Sequence, residues 1–99
     1  MRLHTMKRVT IVAALSHKNE ILAMLDEAGV HHYTFFEVFG KGDHTAHHET
    51  ESRNIRVESI VSSHLMDELI ETLHREMLGE KALIVYVQDV EVMRHQKFL

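Results

Sequence analysis

The chain has no cysteine, no proline and no tryptophan among its 99 residues. The lack of cysteine removes disulfide staples, thiol nucleophiles and zinc sites of the cysteine type, and it fits a reducing, cytoplasmic setting. Without proline, and with no low-complexity stretch or linker, nothing marks a boundary, so residues 1–99 read as one domain. Long apolar runs are missing too. The longest, from about Thr10 to Leu15, falls far short of the ~20 residues that cross a bilayer, so the chain is not expected to be membrane-embedded. The opening MRLHTMKRV has no apolar stretch of the kind a secretion signal carries. Met6 stands directly before the first strand-like run and is a second candidate start, with residues 1–5 read as a loose end. Nor is there an excess of positive charge. Eleven Lys and Arg stand against 15 Asp and Glu, a formal net charge of −4, which argues against nucleic acid as the main partner.

What is present is enough apolar material, 44% of residues, for one modest core. Arg8–Leu15 is a β-branched apolar run and reads as a buried strand. In the segment from Ser16 to Gly29, Ile21, Leu22, Met24, Leu25 and Ala28 share one helical face, with Ser16 as the expected N-cap and Gly29 as the residue that ends the helix. Tyr33–Phe39 is aromatic-rich and strand-like. Ile55–Val61 alternates, with Ile55, Val57 and Val61 opposite Arg56 and Glu58. A second helix follows, capped by Ser63, with Leu65, Met66, Leu69, Ile70, Leu73 and Met77 as its stripe and Gly79 at its end. Ala82–Met93 is a long final strand. The order βαββαβ predicts an α+β fold of the ferredoxin-like type, a four-stranded antiparallel sheet with two helices on one face.

Two helices cover only one face of such a sheet. Yet the second strand carries Phe35 and Phe39 on one side and Phe36 and Val38 on the other. The last strand sets Ala82, Ile84 and Tyr86 against Leu83, Val85 and Val87. Strands apolar on both sides require cover on both faces, so the second face is expected to pack against further copies of the chain.

Between the second and third strands lies GKGDHTAHHETESRN, residues 40–54, with no aliphatic side chain larger than Ala46. His44, His47 and His48, with Asp43, Glu49 and Glu51 nearby, have ligand chemistry suited to zinc, nickel or copper, but Gly40, Gly42, Thr50 and Ser52 give no rigid helix to hold them. A loop this long in a small domain normally binds something, and a mobile recognition loop is the expectation, with a metal site as the alternative. Catalysis has little support: there is no cysteine and no nucleophile–base order. Glu37 and Glu58 are expected to face each other across adjacent strands, a pair that more often anchors a ligand than performs catalysis. Gly40–Lys41–Gly42 and the Leu78–Lys81 segment each offer backbone N–H groups beside a lysine, which is what phosphate requires, although Gly79 is also explained as a helix end.

From Lys7 to about Lys97 the chain resembles the PII-like signal-transduction proteins. The resemblance is carried by AGVHHYTFFEVFGKG, by NIRVESIV, and by ALIVYVQDVEVMR after LGEK. It implies a homotrimer of ferredoxin-like subunits that binds adenine nucleotides in the clefts between subunits and contacts a target transporter or enzyme through the long loop, the T-loop. On that model Thr34 and Glu58 hold the adenine end. Gly40, Lys41 and Gly42 form the base of the T-loop, Gly79 and Lys81 belong to a short phosphate loop, and Arg94 and Lys97 reach the phosphates from the C-terminal strand. The T-loop here has no tyrosine to modify and lacks the glutamine expected for Mg-ATP and 2-oxoglutarate. Asp43 and Glu80 stand where these loops favour other residues. ADP or AMP is therefore the favoured ligand over ATP, and no cofactor is required. The short loop is similar to that of divergent members linked to inorganic-carbon uptake, including carboxysome-associated ones, in which bicarbonate joins the nucleotide.

Overall fold

A computed structural model describes residues 2–42, 51–77 and 83–93. The elements run β1 (His4–Ala14), a 3-10 turn (Leu15–His17), α1 (Lys18–Glu27), β2 (Thr34–Gly40), β3 (Ser52–Val61), α2 (Ser63–Glu76) and β4 (Leu83–Val92). The strands form one antiparallel sheet in the order β2-β3-β1-β4. This is the expected ferredoxin-like arrangement.

The strands are longer than their apolar runs. His4 and Thr5 pair with Val92 and Glu91, so residues 4 and 5 are not a loose end: the long β4 supplies their partners. Gly40 pairs with Ser52, Phe39 with Arg53 and Val38 with Asn54. Both ends of the 40–54 segment are therefore ladder, because backbone hydrogen bonding continues where hydrophobic patterning stops.

Strand alternation divides the side chains between two faces. On one face Val9, Ile11 and Ala13 of β1 and Ile55, Val57 and Val61 of β3 pack with Ile21 and Leu25 of α1 and Leu69, Leu73 and Met77 of the α2 segment. Leu83 and Val85 of β4 lie against this core. The other face carries no helix. Its cross-strand rows are Thr34–Glu58–Thr10–Tyr86 and Phe36–Arg56–Val12–Ile84. Phe36, Ile84 and Tyr86 are exposed there, as the two-sided strand pattern requires of a lone chain. Strand β2 departs from that pattern in one respect. No β2 residue joins the core cluster, and Phe35 and Phe39 are exposed although they are on the helix side. As an edge strand, β2 extends past the cover of the helices.

The helix ends correct two caps. Ser16 lies in the 3-10 turn and α1 begins after His17, without a side-chain cap. Helix α2 is capped by Ser62, not Ser63: the Ser62 hydroxyl accepts the Leu65 N–H at 3.2 Å. At the other end of α1, Gly29 adopts φ +87°. The Gly29 N–H donates to the Asp26 carbonyl and the Val30 N–H to that of Leu25, a Schellman closure that seats Val30 in the core. A Cβ at Gly29 would meet only Leu65 Cδ2 at 3.5 Å, an ordinary contact. The cost of Gly29→Ala is therefore backbone strain alone. It is expected to lower stability by about 1–2 kcal/mol, measured as a lower urea midpoint at unchanged slope.

Candidate functional site

Thr34 is the first residue of β2, and its register partner is Glu58. Both side chains lie on the face without helices, and the pairing brings the two expected base-binding groups side by side. They line a cleft with Arg8, His31, His32, Tyr33, Ser59 and Ile60. Glu58 also pairs with Arg56 at 2.7 Å, while Arg56 lies over the Phe36 ring, 5.7 Å from its centroid. Arg8 is held from the far side of the cleft: its Nε and Nη2 donate to Gln88 Oε1 at 3.2 and 2.6 Å. The cleft thus offers an acceptor carboxylate, a hydroxyl and the Arg8 guanidinium beside an aliphatic wall at Ile60. That set suits a flat, partly polar ring carrying an amine.

The Glu37–Glu58 pairing does not occur. Glu37 is opposite Ile55 on the helix side, and its carboxylate accepts from Arg53 at 2.6 Å. Glu58 points to the other face, because the register sets residues of like parity opposite each other, so odd-numbered Glu37 and even-numbered Glu58 fall on opposite sides.

Gly40 closes β2 at the end away from Thr34. Six residue steps along the strand separate them, about 20 Å at ~3.3 Å per residue. Lys41 is exposed, and Gly42 has φ +141°, a backbone state that side chains disfavour. Within one chain the structure brings Thr34 and Glu58 together and leaves Gly40, Lys41 and Gly42 at the opposite end. Gly79, Lys81, Arg94 and Lys97 lie outside the described residues, as do His44, His47 and His48. Among the described residues no three metal-ligating side chains gather, and no helix is long and apolar enough to cross a membrane.

Sequence reasoning missed Arg8, His31, His32, Tyr33, Ser59 and Ile60 as cleft residues. The signal was available for some of them. Once Thr34 is set against Glu58, an antiparallel ladder puts Ile60 and the residues before Thr34 beside the pair.

The family model for nitrogen regulatory protein P-II matches residues 6–97. Among solved structures, a PII-like signalling protein from Thermus thermophilus is 30% identical over 100% of both chains, with a TM-score of 0.83. CPII, a nitrogen regulatory PII-like protein from Thiomonas intermedia, was solved bound to ADP, AMP and bicarbonate. In that form it is 28% identical, with a TM-score of 0.81, over 94% of this chain and 98% of that one. The same protein bound to ADP, AMP and acetate gives 29% identity and a TM-score of 0.86 over 99% and 98%. A comparison with curated proteins gave no match. With a family model that spans nearly its whole length and a solved relative aligned from end to end, this chain belongs to the nitrogen regulatory protein P-II family.

Proposed function

We propose that this chain is a PII-like regulator that senses adenine nucleotides, ADP or AMP, in clefts between the subunits of a homotrimer. Loop 40–54 controls a target transporter or enzyme, and the protein itself performs no catalysis. The whole chain acts as one PII-like domain in the cytoplasm. The observation that carries this reading is the Thr34–Glu58 pair in its cleft on the uncovered face. The carboxylate accepts from the exocyclic amine of adenine, a charge-assisted hydrogen bond, and the Thr34 hydroxyl serves a neighbouring ring nitrogen.

Three further features support it. The ~20 Å between Thr34 and Gly40 is more than a base and two phosphates span, so a ligand that uses both groups takes them from different copies. The uncovered face also exposes the large apolar side chains Phe36, Ile84 and Tyr86. Strands apolar on both sides need cover on both faces, and a second copy laid on that face supplies it. Finally, the solved relative CPII holds ADP, AMP and bicarbonate. In this chain Lys41 offers a cation for the phosphates or a bicarbonate, with Gly79, Lys81, Arg94 and Lys97 completing the anion end.

Titration calorimetry of metal-free protein with ADP, AMP and ATP, each with and without bicarbonate, tests the reading. ADP or AMP is expected to bind at up to one site per subunit and more tightly than ATP. If no adenine nucleotide binds under any of these conditions, the reading is wrong.

A further inference from the structure

Along β3 the buried stripe runs Ile55, Val57, Ser59, Val61. Three positions are aliphatic and fully enclosed. The fourth, Ser59, is equally enclosed, 4% exposed, and stands opposite Val9 in β1. Packing alone calls for a β-branched aliphatic here. A hydroxyl in such a place costs stability unless it is bonded, and this one is: Ser59 Oγ donates to the backbone carbonyl of His32 at 2.6 Å.

The location of that bond gives it meaning. The β2–β3 ladder begins at Thr34–Glu58, and His31, His32 and Tyr33 precede it without strand pairing. These three residues form one wall of the cleft, while Glu58 and Ile60, the neighbours of Ser59 on either side, form another. Ser59 therefore ties the unpaired wall to the strand that carries the carboxylate. Ser59 belongs to the helix-side row of β3 and also borders the cleft, where its hydroxyl is engaged by the His32 carbonyl.

We propose that Ser59 is a positioning residue for the base-binding end of the cleft: its hydroxyl holds the His31–Tyr33 wall in register with Glu58, so that a ring fits between them. This rests on the nucleotide-sensing reading. The expected signature separates binding from stability, because valine and threonine have the same shape and differ only in the hydroxyl.

The test compares Ser59→Thr with Ser59→Val in the full-length protein. Valine restores the aliphatic stripe, so S59V is expected to melt no lower than S59T. S59T keeps the bond and is expected to bind ADP within about twofold of the unsubstituted protein, whereas S59V binds about threefold to tenfold more weakly, the worth of one hydrogen bond. Without any ligand, amide hydrogen exchange across residues 31–34 is expected to be faster in S59V than in S59T. Equal ADP affinity in the two variants, or equal exchange, overturns the proposal while leaving nucleotide sensing intact. If the unsubstituted protein binds no adenine nucleotide, both readings are overturned.

Discussion

Replacing Ile84 by aspartate is expected to turn the proposed homotrimer into a folded single chain of 11.5 kDa. Ile84 lies on the uncovered face of β4, opposite Val12, and is 41% exposed. In an isolated subunit a carboxylate at that position reaches water, and the core on the other face is untouched. Packed against a second copy, it becomes a buried charge without a partner, which costs several kcal/mol per subunit and is repeated at each interface. The nearest cation on that face along the row, Arg56, is two strands away and already engaged by Glu58. Light scattering on a sizing column reads the mass, and the circular dichroism spectrum confirms that the fold persists. An I84D variant that keeps the mass of a trimer would place the subunit contacts elsewhere, and the cover inferred for the Phe36–Arg56–Val12–Ile84 row would have to be abandoned.

The second large effect is on ligand binding. Glu58→Ala removes the acceptor for the base and leaves Arg56 without the carboxylate it now pairs with at 2.7 Å. A hydrogen bond to a charged group is worth about 1.5–3 kcal/mol, so ADP affinity is expected to fall roughly tenfold to a hundredfold. Arg56 then presents its charge to the ring in place of an acceptor, which adds to the loss. Calorimetry on E58A gives the affinity, and light scattering shows whether the assembly survives. ADP binding of undiminished strength would remove Glu58 from the site and with it the assignment of this end of the cleft to the base.

The core was legible because both periods were clean. Ile21 and Leu25 on α1, Leu69 and Leu73 on α2, and Ile55 and Val57 on β3 follow spacings that only one buried face satisfies, and all of them are enclosed. Gly29 was legible for a similar reason, since a helix that ends in left-handed backbone favours glycine. Caps were less so. Ser62 and Ser63 are chemically equal, and only the path of the chain decides which hydroxyl meets the Leu65 N–H. The Glu37–Glu58 error has the same root. Parity assigns each residue to one of two faces within its own strand, but which face of one strand matches which face of the next is a property of the register. That register joins Thr34 to Glu58 and Glu37 to Ile55. The cleft was half legible. Thr34 and Glu58 carry recognisable chemistry, whereas Ser59 acts through a backbone carbonyl 27 positions away, and no local pattern announces such a bond.

The strand order has a consequence for how this chain reaches its fold. β1 is made first, yet it sits in the interior of the sheet, flanked by β3 and β4 and not by β2. Its side-chain tie from Lys7 to Asp89 spans 82 positions. No hairpin can nucleate on it, and large loops must close before its backbone groups find partners. A chain emerging from synthesis therefore carries an apolar first strand with both edges open until β3 is made, and with one edge open until β4 appears. Folding is expected to be slower than for helical chains of this length and to be completed only after β4 is available.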